Sequence, residues 1–76
     1  MTGHELRTLL YRIPSLESGQ RDLVYSVIES YIDDGEIKQA GYEYKIKKKL
    51  KNLMQTGKIS DTDYEAIKAA LKGHIH

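Results

Sequence analysis

A chain of 76 residues makes one small domain that buries only ~60% of its unfolded surface, which excludes a large multidomain enzyme. With no cysteine there is no disulfide or thiolate zinc site, and no apolar run approaches the ~20 residues that span a bilayer. The net charge of +1 gives no bulk reason for a polyanion partner, but the charges are sorted: residues 1–37 carry −4, 38–58 carry +6 and 59–76 carry −1.

In chain order, Thr2 and Glu5 have the spacing of a capping box, and Leu6, Leu9, Leu10 and Ile13 mark one face of a helix that Pro14 ends. The first helix is therefore predicted over about 3–12. Residues 15–19 read as a connection, with Ser18 as the cap of the next helix, Ser15 as the competing cap and Gly19 as a poor interior residue. Leu23, Val24, Val27, Ile28, Tyr31 and Ile32 form the cleanest helical stripe, which predicts a second helix over about 19–34. Gly35 then supplies a left-handed residue to close it, with Asp33 and Asp34 in a last turn whose dipole calls for a basic neighbour.

Ile37 is expected to plug the turn. The third helix, about 39–55, places Tyr42, Ile46, Leu50, Leu53 and Met54 within an arc of roughly 120°. Lys45, Lys47, Lys48, Lys49 and Lys51 spread over the remaining circumference. Gly57 ends that helix, and Ser60 with Asp63 forms a cap of capping-box type, short by one methylene. Tyr64, Ile67, Ala70 and Leu71 line a fourth helix over about 61–72, closed by Gly73 and followed by a 74–76 tail.

Two stretches, 28–42 and 50–64, repeat one pattern 22 residues apart: Ile28 with Leu50, Tyr31 with Leu53, Ile32 with Met54, Gly35 with Gly57, Ile37 with Ile59 and Tyr42 with Tyr64. The fold class expected is all-α: a single domain over 1–73, a bundle of four helices built around two related helix-Gly-x-Ile-helix turns, with no strand candidate. An acidic second helix packed antiparallel on a basic third would bring complementary charges together, each exposed pair contributing about 0.3–1 kcal/mol.

The repeat resembles the EF-hand family in the spacing of Gly35, Ile37 and Tyr42 and of Gly57, Ile59 and Tyr64. Its ligand positions do not suit calcium. Ile32 and Met54 fall at the third loop position, and Gly41 and Asp63 stand where a bidentate Glu belongs. Residues 47–72, with Leu50, Leu53, Gly57, Lys58, Ile59, Ser60, Tyr64, Glu65 and Leu71, resemble the SHOCT family of short helical pairs. That resemblance implies assembly or docking rather than catalysis.

No Ser-His-acid grouping, phosphate-cradling glycine loop or pair of acids on one core face is present, so no enzyme, cofactor or small-molecule substrate is expected. His74 and His76 offer two metal ligands only, too few for a site. Residues 1–15 lack the apolar core of a secretion signal, which makes a cytoplasmic location the expectation. Tyr11, Tyr25 and Tyr44 lie off the main stripes and suit a protein contact, where tyrosine is enriched. The sequence thus reads as a non-catalytic, regulatory helical module for protein–protein interaction or oligomerisation, its partner another protein or a second copy. The alternative is a nucleic-acid-binding regulator, with Lys38, Gln39 and Tyr42 facing bases and Lys45, Lys48 and Lys49 on phosphates. Asp33, Asp34 and Glu36 would oppose that contact.

Overall fold

The computed structural model describes residues 1–75, and among them four helices enclose one core. Helix α1 spans Gly3–Tyr11. Its capping box forms as the sequence requires: the Thr2 hydroxyl accepts from the Glu5 N–H at 3.1 Å, and the Glu5 carboxylate accepts from the Thr2 N–H at 3.3 Å. Helix α2 spans Ser18–Glu29, five residues shorter at its end than the stripe suggests. Its N-cap is Glu17 rather than Ser18, and Gly19 lies inside the first turn. The Gln20 carboxamide holds that end, accepting from the Glu17 N–H at 2.8 Å while donating to the Lys58 carbonyl at 3.0 Å.

Where the second helix was expected to continue, the chain forms a two-residue hairpin. Strand β1 (Ile32–Asp33) pairs antiparallel with β2 (Glu36–Ile37), with Ile32 opposite Ile37. Asp34 and Gly35 both have positive φ, 53° and 78°. Two such residues in succession suit the tight turn whose twist matches that of the flanking strands. The expectation of no strand is corrected here, and Asp33 and Asp34 sit in the hairpin instead of opposing a helix dipole. Ser26 and Ser30, whose hydroxyls bond back to the Asp22 and Ser26 carbonyls at 3.0 and 2.9 Å, occupy the end of α2.

Helix α3 covers 39–55 as predicted, but in three pieces: Gln39–Gly41, a π-helical Tyr42–Ile46 and an α-helical Lys47–Gln55. Tyr42, Ile46 and Leu50 are four apart, and at 100° per residue such a pair of steps drifts 80° around a regular helix. The wider π turn, in which the Lys47 N–H reaches the Tyr42 carbonyl, absorbs the drift and leaves all three buried. The Lys58 and Gly57 N–H groups cap the far end on the Leu53 and Met54 carbonyls at 2.9 and 3.1 Å. This is a Schellman motif, with Gly57 at φ 78°. Helix α4 spans Asp61–Leu71 behind the Ser60–Asp63 capping box. Gly73 does not close it. A 3₁₀ turn, Lys72–His74, runs through that glycine, and Ile75 forms a parallel bridge with Ile37 instead of trailing as a tail.

The core gathers Leu6, Leu10, Ile13 and Leu16 with Val24 and Ile28, the two plugs Ile37 and Ile59, Tyr42, Ile46, Leu50 and Leu53 of α3, and Tyr64, Ile67 and Leu71 of α4, whereas Met54 and Ala70 of the predicted faces are only half-buried. Both plugs point inward, 0% and 2% exposed. Leu23 does not join them: at 38% exposure it stands at the surface beside the half-buried Val27. No helix among the described residues is long and apolar enough to cross a membrane.

Candidate interaction surfaces

On the outer face of α1 and α2, two arginine–tyrosine pairs interlock. Arg7 and Tyr11 are four apart on α1, Arg21 and Tyr25 four apart on α2, so each pair occupies one side of its helix. Because the helices run antiparallel, the Arg7 guanidinium lies 4.0 Å from the Tyr25 ring centre and that of Arg21 lies 4.4 Å from Tyr11. Stacked guanidinium groups keep their edge N–H donors available, and stacking is worth about 0.5–1 kcal/mol at exposed sites. Arg21 is further fixed by an Nη1 bond to the Leu16 carbonyl at 2.7 Å, and Arg7 approaches Asp22 at 4.0 Å. Together with Leu10 and Ser18 these side chains enclose a shallow cleft of about 40 Å³. Tyr11 remains 69% exposed.

Tyr11 and Tyr25 are thus brought together. Tyr44, 67% exposed, stands on the π-helical part of α3 and does not line that cleft. The off-stripe tyrosines alone do not point to the two arginines; the sequence signal for them is a repeated Arg-x-x-x-Tyr on successive helices.

The lysines of α3 border a second surface. A groove of about 440 Å³ runs between α2 and α3, with Val27 and Leu53 in its floor and Lys48, Lys49 and Asn52 along its wall. The charge pairing anticipated between these helices is not formed. The ion pairs among the described residues are Arg7–Asp22, Lys38–Glu36, Lys47–Glu43 and Lys68–Glu65. Lys45, Lys48, Lys49 and Lys51 take part in none of them, and Lys49 instead stands 5.6 Å from the Tyr31 ring centre.

The residues assigned to base contacts have other partners. Lys38 lies 2.6 Å from Glu36, whose hydrogen bond and charge raise its pKa above the usual lysine value. The Gln39 amide donates to Glu43 at 3.3 Å. Tyr42 is buried, and desolvation raises its hydroxyl pKa. It backs an open cleft of about 590 Å³ between α3 and α4, where Lys47 and Lys68 are already paired with Glu43 and Glu65 at 3.5 and 3.2 Å.

Asp63 is the buried carboxylate that the sequence identified only as a cap. Burial pushes its pKa up, but the Ser15 hydroxyl, the Ser60 N–H and the Ser60 hydroxyl bond to it and together hold it below the usual carboxylate value. The Ser15 contact ties the middle of the first connection to the start of α4, and only the fold could reveal it. Among the described residues no three His, Asp or Glu groups converge, and His76 lies outside them. Compared with protein-family models, curated proteins and solved structures, the chain matches none.

Proposed function

We propose that this chain is a non-catalytic helical module that acts in the cytoplasm by binding another protein. The observation that carries the reading is the interlocked Arg7–Tyr25 and Arg21–Tyr11 pair on the outside of α1 and α2. Tyrosine and arginine are the residues that dominate binding energy at protein interfaces, and here both arginines are held in place before any partner arrives. The resemblance of 47–72 to short assembly modules supports the same class of role.

The test is affinity capture and sedimentation of the full chain beside a Tyr11→Ala/Arg21→Ala variant whose helicity is checked by circular dichroism. A specific protein partner, retained by the wild type and lost by the folded variant, is the expected result. A strict monomer that captures nothing, yet binds duplex DNA with steep salt dependence, would overturn it.

The nucleic-acid reading retains one favourable observation, the four lysines on α3 that have no carboxylate partner among the described residues. It predicts a gel shift that disappears when Lys45, Lys48 and Lys49 are replaced by Glu.

A further inference from the structure

The groove between α2 and α3 combines two chemistries, an apolar floor and a cationic wall. Its floor is apolar: Val27 and Leu53 line it, and Leu23, one turn before Val27 on the same side of α2, extends the floor at 38% exposure. Its wall is cationic. Lys48 and Lys49 line it, and each has a further lysine about one turn away on α3 outside the lining, Lys51 and Lys45 respectively, a like-charge arrangement that destabilises an isolated helix. None of the four has an acidic partner within the described residues, and no acid lines the groove.

We infer that this groove receives an acidic amphipathic helix from the partner protein. Resting on the protein-binding reading above, the inference names the kind of segment bound and places a second contact surface apart from the arginine–tyrosine face. An amphipathic helix fits because its apolar stripe covers Val27, Leu53 and Leu23 while its flanking Asp and Glu side chains meet Lys48 and Lys49. A phosphate backbone would satisfy the lysines but leave the apolar floor uncovered. A second copy of this chain satisfies neither part well. The acids of α2, Asp22 and Glu29, lie seven apart on the side turned toward α1, where Asp22 meets Arg7 at 4.0 Å, so face-to-face copies would oppose lysine to lysine.

The test is a ¹⁵N–¹H titration of the full chain with synthetic peptides of about 15 residues, roughly four helical turns. The panel holds several acidic helices with different leucine, isoleucine or phenylalanine stripes. Each has two controls, one with its apolar stripe changed to Ala and one with its acids changed to Gln, and a DNA duplex is titrated separately. The expected result is saturable binding by at least one acidic amphipathic peptide, with the largest shifts at the amides of Val27, Lys48, Lys49 and Asn52. Both of its controls and a Lys48→Glu/Lys49→Glu variant should weaken binding about ten-fold or more.

Shifts confined to other surfaces, no response to any peptide, equal binding by the Ala-stripe control, or tighter binding of the duplex at these lysines would each overturn the inference. The Tyr11→Ala/Arg21→Ala variant separates the two readings. It should keep peptide affinity within about two-fold even where it loses the captured partner. Loss of partner capture in that variant with no peptide response in the wild type sinks the groove alone. Peptide binding with no effect of that variant on capture sinks the arginine–tyrosine face alone.

Discussion

The two copies of the 22-residue repeat reach the same end by different paths. In both, a glycine at φ 78° is followed two residues later by an isoleucine sealed in the core, and seven residues later by a largely buried tyrosine. Yet the first copy passes through a β-hairpin and the second through a Schellman turn. The difference resides in the residues before each glycine. Asp34 tolerates the left-handed region and takes φ 53°, whereas Thr56, β-branched and poorly suited to it, stays at φ −90°. Tyr31 and Ile32 favour strand, while Leu53 and Met54 favour helix. The repeat therefore preserves where the plugs land rather than the backbone that delivers them.

The largest effect should come from the plugs themselves. Ile37→Ala and Ile59→Ala are each expected to cost about 2–5 kcal/mol in urea unfolding followed by circular dichroism. Should either cost less than about 1 kcal/mol, the two copies do not serve the core equally.

Next come the turn residues. A Cβ at residue 35 or 57 meets nothing within 4 Å, so Gly35→Ala and Gly57→Ala should each cost about 1–2 kcal/mol through backbone strain alone. Asp34→Thr should cost a similar amount, about 1–2 kcal/mol, although Thr occupies the corresponding position 56 without positive φ. A neutral Asp34→Thr would show that the hairpin can convert to the second copy's turn.

Smaller effects separate the helix starts. Ser60 and Asp63 stand where the first copy has Lys38 and Gly41, so only the second has a capping box. Asp63→Asn should cost about 1 kcal/mol at neutral pH. Since the folded pKa of Asp63 lies below its unfolded value of ~3.9, its contribution is present above that value and is lost as pH falls through the folded pKa. Melting temperatures of wild type and Asp63→Asn should converge from about pH 4 downward; a constant gap across that range refutes the assignment. Smallest is the expected difference in amide exchange. The first turn of α3 at Gln39–Gly41 should exchange about five-fold faster than residues 61–63, as a cap worth about 1 kcal/mol implies.

Much of the fold was legible because burial follows periodicity. Leu6, Leu10, Val24, Ile28, Ile46, Leu50, Ile67 and Leu71 all lie where a 3.6-residue period places them, and the Thr2 and Ser60 capping boxes formed from local spacing. The hairpin was legible too, in the Asp34-Gly35 pair, but a glycine after a helical stripe signals a helix end equally well, and Ile32 fits either period. The candidate surfaces were legible only in part: Tyr11 and Tyr25 lie off the apolar stripes in the sequence itself, whereas their pairing with Arg21 and Arg7 depends on the crossing of two helices.

The sequence by itself determined which positions are oily, at what spacing, and which glycines must turn the chain, since these depend on neighbours within a few residues. Contacts between distant residues decided the rest. Ser15 on Asp63, Gln20 on the Lys58 carbonyl and Ile75 beside Ile37 join elements 38 or more residues apart. The four lysines of α3 that meet no acid among the described residues belong there as well, because whether a charge meets its opposite is set by how helices rotate to bury their apolar faces.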